Sequence, residues 1–154
     1  MIKQLLKVVV MLGVLVGFAG AESTAIKVHN SWIRLTPPVV KNSAGYASIY
    51  NGSDADVKLV AVKSGLSKKI EIHEHKMVDG LMKMREVAGG LTIPAKTSVE
   101  LKPGGYHIML MGLNLKLDVA QEHNLILVFD NGDEVPMIFP VKHDVQTQGM
   151  AHTN

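Results

Sequence analysis

The sequence predicts an all-β chain: a single-domain β-sandwich or Greek-key barrel of about eight short strands. Three observations carry this. Short segments alternate apolar and polar side chains at fairly regular intervals. Turn-forming Gly, Pro, Asn and Asp residues separate them. Almost no stretch repeats its apolar residues at the helical spacing.

The first residues stand outside that fold. Lys3 and Lys7 form a positive n-region, an apolar run extends from Val8 to Phe18, and Ala19-Gly20-Ala21 supplies a small-residue cleavage site, the composition of a secretory signal. The run is shorter than the ~20 apolar residues that a membrane span needs. Residues 1–21 are therefore expected to be removed, placing the mature chain in a bacterial-type periplasm with no stable membrane insertion. Residues 22–142 are expected to form the domain, and 143–154 a flexible polar tail. The chain has no cysteine, so there is no thiol to acylate as a lipid anchor and no disulfide to reinforce the core.

The domain divides as follows. Ala25 to Leu35 contains Ile26, Val28 and Ile33, with Trp32 expected as a core anchor, and Pro37-Pro38 ends it. Gly45 to Tyr50 is a second strand, closed by Asn51-Gly52-Ser53-Asp54, and Val57 to Val62 a third. Ile70 to Met77 and Leu81 to Val87 flank Asp79-Gly80 as a hairpin. Gly89-Gly90 and Pro94 mark a looser connection before Thr97 to Leu101. Pro103-Gly104-Gly105 then turns into Tyr106 to Met111. Leu113 to His123 is expected to be a loop or short helix. Asn124 to Phe129 and Glu134 to Val141 flank Asp130-Asn131-Gly132, a strong hairpin signal.

Most of the chemistry lies between Ile70 and Met111. Seven methionines follow residue 21, and five of them (Met77, Met82, Met84, Met109, Met111) fall in this window beside His73, His75 and His107. Strand periodicity sends Glu71, His73, His75 and Met77 to one face, and His107, Met109 and Met111 to one face of the later strand. With Asp79-Gly80 as a two-residue turn, Val78 pairs with Leu81, Met77 with Met82 and His75 with Met84, leaving His73 diagonal to Met84. Thioether with imidazole and no thiolate suits Cu(I). Methionine is also a common filler of irregular cores, so a metal face and a packing stripe both remain open at this point.

The run from His73 to Arg85, followed by Leu101 to Leu113, resembles the periplasmic copper chaperones of the PCu(A)C type. Their signature is a His, ten residues, a Met, about twenty-one residues, then His-x-Met. Here ten residues separate His73 from Met84 and twenty-two separate Met84 from His107-x-Met109. His75 stands where many members have Met, and a second imidazole admits Cu(II) or Zn(II) more readily. The resemblance spans nearly all of the mature chain. It implies a cupredoxin-like β-sandwich, Cu(I) bound through His73, Met84, His107 and Met109, and His75 and Met77 as auxiliaries. It further implies delivery to the CuA centre of cytochrome c oxidase, with subunit II as acceptor and a Sco-type thiol protein as a companion. In the tail, His143, Met150 and His152 could capture copper, including Cu(II). An unchanged copper stoichiometry after deletion of 143–154 would count against that.

Composition narrows the rest. Removing residues 1–21 takes Lys+Arg from 16 to 14 against 14 Asp+Glu, and the formal net charge from +2 to 0, so nucleic acid is not an implied partner. No nucleophile elbow, Ser/His/Asp spacing or cofactor loop argues for an enzyme. A copper buffer without a dedicated acceptor, and a metal-free interaction module on the same sandwich, are the rival readings.

Overall fold

The structure is a computed structural model and describes residues 25–144. Ten strands and no helix occur among the described residues. They are β1 (Ile26–Arg34), β2 (Asn42–Asn51), β3 (Val57–Lys63), β4 (Ser67–Val78) and β5 (Leu81–Glu86), then β6 (Leu91–Ile93), β7 (Ser98–Leu101), β8 (His107–Leu113), β9 (Glu122–Phe129) and β10 (Glu134–Lys142).

The hydrogen-bonded order is β5-β4-β8-β2-β1-β10-β9-β3-β6, with β7 also pairing β2. All named pairings are antiparallel except β1 with β10, where Ile33 lies beside Val141 and Arg34 beside Lys142. That parallel contact joins the two layers of the sandwich. The core between them takes Ile33, Ile49, Ile108 and Leu110 from one layer and Leu59, Leu125, Leu127 and Phe129 from the other, all buried. The expected cupredoxin-like β-sandwich is thus the fold observed.

Differences from the expected elements have local causes. The connection after Gly89-Gly90 holds β6, whose Leu91 and Ile93 are buried and pair with Leu59 and Val57. Gly90 permits this. A Cβ there would come within 2.7 Å of the Leu59 carbonyl oxygen, and its φ is +93°. Strand β4 starts at Ser67, three residues earlier than the apolar pattern suggests, because Ser67 to Ile70 pair with β8. The segment between β8 and β9 contains no helix and is anchored by buried Leu117.

Trp32 is not in the core. The β1–β2 register shifts between His29 and Trp32, where Asn30 takes a φ of +51°. Such a bulge adds one residue and reverses which face the following side chains occupy. Ile26 and Val28 pack on the core before it and Ile33 does so after it. Trp32 and Arg34 consequently project from the opposite face, the one that carries the histidines.

Candidate metal centre

The hairpin β4–β5 sets the first part of the site. Asp79 and Gly80 have φ of +52° and +76°, the left-handed pair that a tight two-residue turn requires. The register is therefore fixed: Val78 opposite Leu81, Met77 opposite Met82, His75 opposite Met84, and His73 opposite Glu86. In such a hairpin the pair next to the turn exchanges both backbone hydrogen bonds and the next pair does not, in alternation. Two steps beyond Glu74 and Arg85 in that alternation, the Val87 amide donates to the Ile72 carbonyl at 2.8 Å, as the parity demands. His75 and Met84 are hence a non-hydrogen-bonded pair, the kind whose side chains stand closest.

Strand β8 supplies the second part. Its pairing with β4 sets His73 opposite His107, Ile72 opposite Ile108 and Glu71 opposite Met109. Ile72 and Ile108 face the core, so His73, His107 and Met109 share the outer face. On its other side, Met109 lies opposite Ala44 of β2. A shallow cavity of about 190 Å³ opens here, lined by Arg34, Tyr46, His75, Met84, His107 and Met109 among others.

Aromatic and cationic groups wall it. The Trp32 and Tyr46 ring centroids are 4.5 Å apart, and the Arg34 guanidinium lies 5.3 Å from the Tyr46 ring centroid. Arg34 is also paired with Asp144 at 2.7 Å. His107 is 2% exposed despite lying on the outer face, because its ring is enclosed by Tyr46, His73 and His75, with centroids at 6.5, 5.9 and 5.1 Å.

Three imidazoles thus meet, and each keeps one ring nitrogen unengaged. Nδ1 of His73, Nδ1 of His75 and Nε2 of His107 are buried and lack hydrogen-bond partners. The opposite nitrogens explain two of these orientations. His73 donates from Nε2 to Oε2 of Glu71 at 2.8 Å, and His107 donates from Nδ1 to the Gly105 carbonyl at 3.1 Å. A ring that donates from one nitrogen presents a lone pair on the other, the arrangement of a metal-ligating histidine with its outer-shell partner. Burial, reinforced by His75, His73 and Arg34 and opposed by the bond to Gly105, holds the His107 pKa below the usual imidazole value and so favours its neutral form. Glu71 is held below the usual carboxylate range, first by its hydrogen bond with Lys69 and then by His73.

Orphaned buried nitrogens are costly unless something engages them. Among the described residues, no three His, Asp or Glu side chains are arranged to hold an ion by themselves. The thioethers of Met84 and Met109, lining the same cavity, are the remaining donors, and a mixed imidazole–thioether set is soft.

The candidate residues distribute as follows. His73, His75, Met84, His107 and Met109 come together. Met77 lies one rung further along the hairpin beside Met82, outside the cavity lining. His143 lines a separate groove of about 420 Å³ with Leu35, Pro37 and Leu117. Met150 and His152 lie outside the described residues. Sequence reasoning did not assign Glu71, Arg34 or Tyr46 to the site. Glu71 had a visible signal, its period-two phase with His73, whereas Arg34 reaches the site only through the bulge in β1.

Comparison with known proteins gives the family and the fold. The family model described as putative lipoprotein LpqE-like matches residues 26–141. The uncharacterized protein RP573 of Rickettsia prowazekii (strain Madrid E) is 30% identical over 123 residues, covering 78% of this chain and 68% of that protein. Among solved structures, the apo PCuAC domain from PmoF1 superposes with a TM-score of 0.66 at 28% identity, covering 78% of this chain and 95% of that domain. The solution structure of CuI-DR1885 from Deinococcus radiodurans gives a TM-score of 0.59 at 30% identity, covering 82% and 85%. The chain belongs to the LpqE-like family and is a PCuAC-type domain.

Proposed function

We propose that this protein is a periplasmic copper chaperone that binds one Cu(I) as cargo through Nδ1 of His73, Nε2 of His107 and the thioethers of Met84 and Met109. The observation that carries the reading is one cavity lined by Met84, Met109, His75 and His107, with the His73 ring 5.9 Å from that of His107 and an unengaged nitrogen on each imidazole. The likeness to CuI-DR1885, a copper-loaded relative, supports copper as the ion. Neutral thioethers favour Cu(I) over Cu(II) without the grip of thiolates, which suits a carrier that must release its cargo by ligand exchange. Delivery to the CuA centre of cytochrome c oxidase subunit II, with a Sco-type thiol protein as companion, follows from the resemblance in the His73–Met109 motif. The role is one of transport and not of catalysis.

The test is an anaerobic Cu(I) competition titration of residues 22–154 against a coloured Cu(I) chelator. One tight equivalent is expected, with X-ray absorption showing both sulfur and imidazole scattering. Absence of competition would overturn the proposal. His75 supports a second reading of the ion: its unengaged Nδ1 lies beside His107 in the same cavity, and imidazole accepts Cu(II) and Zn(II). Preferential retention of Zn(II) or Cu(II) over Cu(I) in a mixed-metal equilibrium would favour that reading.

A further inference from the structure

The hairpin carries a second pair of thioethers that the site does not use. Met77 and Met82 face each other across β4 and β5. They have the same parity as His75 and Met84, so this too is a non-hydrogen-bonded pair, with Cα atoms expected ~4.5 Å apart and side chains on one face. Two residues of strand, about 6.8 Å at the usual rise, separate this rung from the His75–Met84 rung.

Exposure rises steadily outward along that face. His107 is 2% exposed, Met84 46%, Met82 59% and Met77 60%. Packing does not account for the outer pair. Both methionines are exposed and neither belongs to the buried core cluster, and every residue of β5 is exposed. Single exposed apolar residues need no explanation, but two methionines in register, in phase with a His/Met site, are placed as donors would be. The intervening rung, Lys76 with Lys83, points to the other face, which keeps both ammonium groups off the thioether side.

We propose that Met77 and Met82 form an outer Cu(I) station through which the ion enters and leaves the inner site. This rests on the copper reading above. Two neutral thioethers hold a soft monovalent ion weakly and leave it open to a third donor. Methionine has three rotatable bonds, so the Met84 sulfur can swing between the inner ligands and an ion held one rung out. The transfer exchanges one neutral donor for another. Copper remains Cu(I), and no electron or proton moves. The station lets an incoming acceptor engage the ion at an exposed edge without opening the enclosed His107 side of the cavity.

The test uses the full mature chain carrying Met77→Leu and Met82→Leu together. Leucine retains an apolar side chain at each position and removes the sulfur. Two quantities are read: the equilibrium Cu(I) affinity by chelator competition, and the rate at which bathocuproine disulfonate strips Cu(I) in stopped flow. The expected result is an affinity within about twofold of the parent and a stripping rate slower by about tenfold. Equal rates would overturn the station. An affinity that falls in step with the rate would also overturn it, by making these sulfurs ligands of the inner site. As a second measurement, the Met77 and Met82 methyl resonances of the parent protein should move on a second equivalent of Ag(I), a stand-in for Cu(I), after those of Met84 and Met109 have responded to the first. Outer methyls that stay fixed would overturn the proposal. A parent protein that binds no Cu(I) fails at the earlier step and identifies the copper reading itself as the error.

Discussion

Replacing Glu71 by alanine should weaken Cu(I) binding while leaving the fold in place. Glu71 Oε2 lies 2.8 Å from Nε2 of His73, and the carboxylate is itself held by Lys69. Its depressed pKa keeps it ionised and accepting across the neutral range. The bond therefore determines which imidazole nitrogen carries the proton, and it leaves the lone pair on the buried, unengaged Nδ1 of His73. Without it the ring can rotate, and either nitrogen can be protonated. Losing an outer-shell partner of this kind typically costs 10–100-fold in metal affinity, and that is the expected range for Glu71→Ala. Glu71→Gln keeps an acceptor oxygen at nearly the same place and should recover most of the loss. Chelator competition under anaerobic conditions reads the affinity, and a thermal melt of the apo protein checks the fold. An alanine variant that binds Cu(I) as tightly as the parent would refute the argument. A glutamine variant as weak as alanine would show that charge, and not ring orientation, carries the effect.

Other perturbations follow from the same geometry. Met84→Ala lies on an edge strand at 46% exposure, so apo stability should change by no more than ~0.5 kcal/mol, while Cu(I) affinity drops tenfold or more; a large fall in Tm would return Met84 to a packing role. Gly80→Ala meets no neighbouring atom, yet must adopt a φ of +76°, which costs about 1–2 kcal/mol; chemical denaturation should read that loss, together with weaker copper binding as the His75–Met84 rung loosens. His123 is held below the usual imidazole value by burial. Its folded pKa is the lower one, so the unfolded state takes up a proton first as pH falls. Stability is full above the unfolded value near ~6.5 and declines below it. Melts of the apo protein from neutral to acid pH should show the parent losing Tm faster than His123→Gln, and parallel curves would contradict the assignment.

Much of the site was legible because hairpin chemistry is local. Asp79-Gly80 specifies a turn, the turn specifies a register, and the register places His75 beside Met84 with no knowledge of the rest of the chain. The pairing of His73 with His107 is different. It joins strands more than thirty residues apart, and alternation alone could show that each presents a ligand face but not that the faces coincide. The His-x10-Met and His-x-Met spacings supplied that link by resemblance. What stayed hidden was the wall. Tyr46 reads as an ordinary strand aromatic, and Trp32 and Arg34 follow a break in periodicity that leaves only a single asparagine as its mark. The short strand β6 was missed for a related reason: Gly90 looks like loop composition, whereas here it serves a close backbone approach to β3.

The break at Asn30 also makes β1 a strand of two allegiances. Its first half is counted in even numbers, with Ile26 and Val28 inward; its second half in odd numbers, with Ser31 and Ile33 inward. Straightening the strand there at unchanged length would restore a single count, carrying Trp32 inward and turning Ile33 out beside the histidines. The domain would then have an overfilled interior and a cavity without Arg34 in its lining, although every candidate ligand would still be present. A sequence comparison that scores ligands alone would pass such a chain as intact. A β-branched residue at position 30, which resists the left-handed φ that Asn30 takes, would be the one sign that the cavity had lost a side.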